Sequence, residues 1–516
     1  MDASRRLVSF CIAAGLAGCG GGGGGGSAPT SPSIPVATAT VSGKVLDRSG
    51  APVAGVTISA YYHNVHSTVT TSSAADGSYS IGGLDSTNTS VNQPPDYEIY
   101  AEKNGLAFYP AVSDSSATIS KFDFNGYYRT VIRFLGPPAR TITGNNFTAF
   151  RAGDKVASLP RTGQTSSYAS GDDGAARQGV ALPATRFSDN GNGSVTDQLT
   201  GLVWLKNAGC VAPTNWSAAL TAANQLASGA CGLSDGSRAG QWRMPNANEL
   251  ESLVDVGRVN PAIASGHPFS NINTSSAYWS STTYMALTAN AMAIRLSDGR
   301  WINGIDANDG SFNNNKNTSL NAMWAVKSGA SGLVQVLATG IFFSGAGGGG
   351  GATFGVGDDA SLQLGAPLTS PRFIDNGNGT LVDTVTGLLW LKKADCVKAN
   401  WANALSAVNR LASGQCGLSD GSGAGQWRLP NRNEMLSLSD RAPTFPQAEY
   451  FNGQAQQSTG PITGPVIFNS FVTSDYYWTS TTTAGDAGQA WSVWSCDFGV
   501  YNLPKTDLRY ALAVRN

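Results

Sequence analysis

"SDNGNGSVTDQLTGLVWLKNAGC" runs from Ser188 to Cys210, and "IDNGNGTLVDTVTGLLWLKKADC" runs from Ile374 to Cys396. The chain writes one sentence twice, so the first question is what that sentence does locally. Its Asp-Asn-Gly-Asn-Gly run supplies residues that tolerate positive φ, so the chain reverses tightly and returns as a second strand. Leu-Thr-Gly makes another turn, and the continuous apolar run from Leu202 to Leu205 reads as an interior strand. Asp189 and Asp197, with Asp375 and Asp383, punctuate these turns. As calcium ligands they do not have the spacing of an EF-hand loop. Short acidic side chains commonly brace turns, and that is the role expected of them.

The repetition continues downstream. A helix follows Thr214 or Asn215, with its apolar face at Trp216, Leu220, Ala223, Leu226 and Ala227. The second copy writes that face as Trp401, Leu405, Val408, Leu411 and Ala412. A second helix begins at Asn246, where Glu249 completes a capping box; Asn431 and Glu434 repeat it. Arg243 and Arg428, in "QWRMPN" and "QWRLPN", read as buried ties to carboxylates or carbonyls. "YWSSTT" at Tyr278 answers "YWTSTT" at Tyr477, and "MWAVK" answers "YALAVR". "GDDG" at Gly171 and "GDDA" at Gly357 stand as far apart as Trp204 and Trp390. The expected division is two whole domains, 156–329 and 333–516, with an insertion in the second ahead of Tyr477 and a mobile loop at Gly345 to Gly351.

Cysteine usage points to export. Cys210 and Cys231 lie in the first copy, and Cys396 and Cys416 occupy matching places in the second. One local disulfide per copy is the natural reading in an oxidising compartment. Each closes a loop worth roughly 3 kcal/mol on the chain-entropy model. Cys496 is left over as a buried or half-buried thiol.

The N-terminus agrees. Arg5 and Arg6 precede a short apolar stretch, Leu7 to Leu16, which is a secretory signal and too short to span a bilayer. "LAGC", Leu16 to Cys19, resembles the lipobox of bacterial lipoproteins. That resemblance implies a signal peptide at 1–18 and a lipidated Cys19. With Gly20 next, it implies outer-membrane anchoring, at the cell surface or facing the periplasm. Residues 19–37, rich in Gly, Ser and Pro, form a flexible tether.

Residues 38–150 read as short strands separated by turns, with alternation at Val56, Ile58 and Ala60. Gly43, Gly50, Pro52, Gly55, Asp76, Gly77, Tyr79 and Leu84 carry a resemblance to the carboxypeptidase-regulatory-like, transthyretin-like β-sandwich family. Such domains are spacers or adhesive stalk units. The repeated hairpin, "QWRMPN", "YWSSTT" and "WAVK", in order and twice, resemble the DUF1566 family. That family includes the C-terminal domain of the Legionella collagen-like adhesin and is grouped with the C-type-lectin-like fold. The expected class is therefore α+β: an N-terminal β-sandwich followed by two tandem C-type-lectin-like domains. Some relatives bind sulfated glycosaminoglycans, but the calcium–sugar triplets of C-type lectins are not visible here.

Composition narrows function further. Of 516 residues only 13% are charged, the net charge is −1, and no Lys/Arg-rich run offers a nucleic-acid surface. His63 and His66, three apart on a strand, face opposite sides and make no metal pair. His267 has no counterpart in the second copy, so a histidine-based triad cannot operate in both. Lectin-fold oxidases use a reactive cysteine, yet Cys496 answers to Ser297. No enzyme, cofactor or metal site is expected, and the membrane is reached through the lipid anchor alone.

Binding is expected where the copies differ. The late hairpin reads "IRLSDGRWIN" in one and "VWSCDFGVYN" in the other. Arg295, Asp298, Arg300 and Trp301 are the candidates in the first, and Trp494, Asp497, Phe498 and Tyr501 in the second. Aromatics stack on sugar faces and Arg pairs with sulfate or carboxylate, which suits an extracellular glycan or surface protein. A homo-oligomer fits the same role. The alternatives are that Trp301 and Trp494 are core residues, and that the chain is a structural envelope lipoprotein without a specific ligand.

Overall fold

A computed structural model describes residues 38–62, 67–85, 97–103, 106–111, 117–121, 128–132, 141–151, 155–284, 287–302, 314–341, 357–366, 372–439, 441, 468–472, 475–495 and 499–516. Residues 1–37, with the expected signal, Cys19 and tether, and His63, His66, the run Gly345 to Gly351, Cys496, Asp497 and Phe498 lie outside the described residues. The chain is mostly β-sheet with a few short helices. No helix among the described residues is long and apolar enough to cross a membrane.

Alternating apolar residues build two facing five-stranded sheets in the N-terminal part. One is ordered Ser78–Asp85, Thr38–Asp47, Asn146–Arg151, Leu106–Ala111, with Thr141–Ile142 on the second strand. The other is ordered Ser67–Ser72, Thr57–Tyr62, Tyr97–Glu102, Tyr128–Ile132, Ala117–Lys121. Val41, Ile81 and Phe147 from the first meet Ile58 and Ile99 from the second in one core. Gly43 is required by close packing, because a Cβ there would lie 1.8 Å from the Asn145 carbonyl oxygen. The Tyr79 hydroxyl donates to that same carbonyl.

Each repeated module pairs a four-stranded with a five-stranded sheet. In the first, Phe187–Asp189, Ser194–Asp197, Val203–Leu205 and Val326–Lys327 form the small sheet. Val211–Thr214, Asn321–Met323, Tyr278–Thr283, Ala291–Arg295 and Arg300–Ile302 form the large one. The second module repeats both sheets in the same order, with helices Trp401–Asn409 and Arg432–Ser437 answering Trp216–Gln225 and Ala247–Ser252.

The repeated sentence folds as the residues predict. Asp189 accepts from the Gly191 amide and pairs with Lys206, and Asp375 does the same with Gly377 and Lys392. Asp197 and Asp383 hold the buried guanidinium groups of Arg186 and Arg372. Gly193 has φ +82°, and a Cβ there would stand 2.2 Å from the Gly232 carbonyl oxygen. The hairpin tip thus packs against the loop carrying Cys231, which is bonded to Cys210; Cys396 and Cys416 repeat the staple. Asn246 and Asn431 both make complete capping boxes. Arg243 forks onto Glu249 at 2.6 and 2.5 Å, and Arg428 onto Glu434 at 2.7 and 2.6 Å, so cap and tie are one unit. Asn215 rather than Thr214 caps the long helix, which ends at Gln225 and leaves Leu226 and Ala227 beyond it.

Between the divisions 156–329 and 333–516 the leading arms cross. The segment before the first module docks on the second: Asp173 accepts from Thr481 at 2.8 Å, and Gln164 exchanges hydrogen bonds with the Thr482 backbone at 3.0 and 3.1 Å. The segment before the second docks on the first: Asp359 accepts from Thr282 at 2.7 Å. Each buried carboxylate takes a further hydroxyl from its own arm, Thr162 or Thr339, at 2.6 Å. Asn431 donates to the Gln178 carbonyl and Asn246 to the Leu364 carbonyl, so the exchange obeys a pseudo-two-fold relation. The hydrophobic core runs through this seam and contains Trp204 and Trp301 together with Trp390 and Trp491.

Candidate functional site

The late hairpins occupy the outer edge of each large sheet, where alternation puts successive side chains on opposite faces. In the first module Ile294 faces Trp301 across the ladder, and Arg295 faces Arg300. In the second, Val493 faces Val500 and Ser492 faces Tyr501. Tyr278 opposes Ile294 and Tyr477 opposes Val493, so the equivalent of Trp301 is Val500 and the equivalent of Arg295 is Trp494. Tyr501 answers Ile302.

Trp301 is a seam residue. It is 7% exposed, its indole donates to Glu251, and the Arg441 guanidinium from the second module lies 5.0 Å from its ring centroid. This removes it from the ligand-binding set, because packing between modules covers its faces. Arg295 and Arg300 both close onto Asp298, with Nε distances of 3.1 and 3.0 Å. Burial would raise the Asp298 carboxyl, yet hydrogen bonds and charge from Arg295 and Arg300 hold it below the ordinary range. The first hairpin therefore presents a closed triad in which one carboxylate engages both guanidinium groups.

The second hairpin differs in kind. Tyr476, Trp494 and Tyr501 are half-buried at the outer end of the face that carries the buried Trp478 and Ala490, while Tyr477, Val493 and Val500 lie on the opposite face at 0%, 1% and 1% exposure. The Tyr476 ring centroid lies 4.5 Å from that of Trp494 and 5.5 Å from that of Tyr501. Arg509 sits 5.0 Å above Tyr476, and Lys398 sits 4.4 Å above Tyr510. Asp475 ties the two cations, accepting from Lys398 at 2.7 Å and from Arg509 at 3.1 Å. Burial pushes the Asp475 carboxyl up, but those partners carry it below its usual range. The result is an aromatic surface edged by charge. Of its members, Trp494 and Tyr501 were expected from sequence; Tyr476, Asp475 and Arg509 were not, and Lys398 stacks on Tyr510, which packs on Tyr477 on the other side of the sheet. The available signal was "DYYWTST" against "SAYWSST", where Asp475 and Tyr476 replace Ser276 and Ala277.

Other titratable groups have structural surroundings. Lys316 lies 4.3 Å from the Trp216 ring and donates to Thr283, and burial pushes its amine down to about 8. Lys505 repeats the arrangement on Trp401 and Thr482. Burial lowers His267, which packs beside Phe269. Among the described residues no group of three or more His, Cys, Asp and Glu side chains could hold a metal ion.

The pattern of the Lcl C-terminal domain matches this chain twice, over residues 193–327 and 379–515, together just over half its length. The chain belongs to the Lcl C-terminal domain family. Both matches begin inside the repeated hairpin and end at the last strand of a module, so the crossed arms lie outside them. No curated protein matches the chain.

Proposed function

We propose that this Lcl C-terminal domain protein is a non-catalytic, adhesin-like binding protein, held to the outer membrane through lipid on Cys19. In this reading the N-terminal sandwich is a carboxypeptidase-regulatory-like spacer and the modules are lectin-like. The ligand is an extracellular glycan, glycosaminoglycan or surface protein, taken by the second module. One observation carries the proposal: at the same edge of the same fold, the first copy has the closed Arg295–Asp298–Arg300 triad and the second has Tyr476, Trp494 and Tyr501. Clustered aromatics with one wet face suit sugar rings or a protein anchor, at low conformational cost. The carboxylates matched between copies, Glu249 and Glu434, are occupied by capping and by arginine, which supports a role without catalysis.

The test is binding of the full chain to arrayed glycans and matrix proteins. Trp494→Ala should weaken binding by about tenfold or more, the size of a central aromatic anchor, while Arg295→Ala leaves it within about twofold. Absence of binding to any glycan or matrix protein favours a purely structural envelope role.

A further inference from the structure

The crossing of the first arm creates a second concave site, which shares no residue with the aromatic surface. A cleft of about 620 Å3 opens between the arm and the second module, lined by Lys155, Arg161, Arg177, Thr386, Glu434 and Asn516, among others. A smaller chamber of about 100 Å3 adjoins it, sharing Ser158, Leu159 and Arg161 as walls. That chamber is faced chiefly by apolar side chains, including Leu182, Val254, Val336 and Leu436. Arg161 stands where the two meet.

Apart from its own charge and that of Lys155, the charges named around it are already committed. Glu434 is forked by Arg428 at 2.7 and 2.6 Å. In the chamber, Arg186 is held by Asp197, and Glu251 by Arg432. Arg177 donates to the Gly174 and Thr165 carbonyls. The Nε of Arg161, by contrast, is buried without a hydrogen-bond partner. A desolvated guanidinium N–H left unpaired is costly, and an oxyanion is the group that satisfies its planar fork.

The duplication supplies an internal control. By the shared backbone contacts, Lys155, Arg161 and Arg177 correspond to Gly332, Ala338 and Gln363. The pseudo-symmetric place therefore lacks all three cations while keeping Thr200 and Glu249 where the cleft has Thr386 and Glu434. The second arm docks without any of these cations, and of the three only Arg177 is tied to backbone carbonyls of its own arm.

We infer that this junction binds a small organic carboxylate with a short apolar tail, the carboxylate on Arg161 and the tail in the adjoining chamber. Lys155 adds long-range attraction, and Arg161 supplies the directed hydrogen bonds. The neutral analogue loses the ion pair, and the tailless analogue loses the apolar burial.

Isothermal titration of the full chain with sodium hexanoate tests this, with sodium acetate, 1-hexanol and sodium sulfate as comparisons. Hexanoate should bind at least about tenfold more tightly than acetate or 1-hexanol, and Arg161→Gln should weaken it by about tenfold or more. Should Arg161→Gln fail to fold, Lys155→Ala decides, with a loss of about threefold expected and an unchanged affinity rejecting the site. Sulfate binding as tightly as hexanoate would overturn the assignment of an apolar tail. No hexanoate binding at about 10 mM, or an unaltered affinity in Arg161→Gln, would overturn the proposal altogether.

Discussion

Arg432, fully buried at the start of a helix in the second module, forms an ion pair with Glu251 of the first module. The pair has no mirror image. At the equivalent helix start the first module has Ala247, and at the place of Glu251 the second has Leu436. Arg432 also donates to the Gly299 carbonyl at 2.7 Å, and Glu251 accepts from the Trp301 indole. The seam between the copies is thus where they have ceased to be interchangeable.

Breaking this contact from one side should be severe. Removing one member of a buried pair leaves the other desolvated, at a cost of about 3–5 kcal/mol. Arg432→Ala is expected to lower the unfolding midpoint markedly. Adding Glu251→Leu, which recreates the residues of the opposite half, should recover much of the loss. Chemical denaturation monitored by tryptophan fluorescence gives both values. Equal and additive losses would mean the pair contributes nothing as a pair.

The buried carboxylates of the arms set a pH dependence. Burial is the leading influence on Asp173 and Asp359 and raises both from 3.8 to about 6, against hydrogen bonds from two threonines each. A folded-state value above the unfolded one means that folding binds protons in this window. Stability from these groups is full below 3.8 and is lost as pH rises through about 6. Arm docking should therefore strengthen as pH falls from about 6 toward 4. Further acidification reverses the gain, since Asp298 and Asp235 are held below the ordinary value. Hydrogen exchange of the arm amides against pH should show this optimum. The double variant Asp173→Asn with Asp359→Asn should flatten the rise.

Exported protein should carry both staples. Each bond, with sequence separations of 21 and 20, is worth about 3 kcal/mol through the unfolded chain. Intact-mass measurement after alkylation is expected to find Cys210, Cys231, Cys396 and Cys416 all protected. Cys231→Ser should destabilise the first module while leaving the second staple formed.

Local chemistry made much of this legible in the sequence. The hairpin sentence, the capping boxes, the arginine ties and the cysteine pairs are each decided within a few dozen residues, and each holds in the structure. The arm exchange was hidden for a definite reason. Thr162 and Asp173 recur as Thr339 and Asp359, and their distant partners Thr282 and Thr481 are identical in type. Pattern alone cannot say which carboxylate meets which hydroxyl. The hairpin candidates were chosen by residue type, which does not show that Trp301 packs into the seam while Trp494 and Tyr501 stay half-buried. The Arg161 junction was invisible because its walls come from residues far apart in sequence.

A double-mutant cycle on the arm carboxylate tests the crossed arrangement most directly. The variants are Asp173→Asn combined with Thr481→Val, and Asp173→Asn combined with Thr282→Val, each scored by denaturant unfolding. Crossed arms predict a coupling of about 1 kcal/mol between Asp173 and Thr481, and additivity within about 0.5 kcal/mol between Asp173 and Thr282. Coupling to Thr282 with additivity toward Thr481 would show each arm folded onto its own module and would contradict the account.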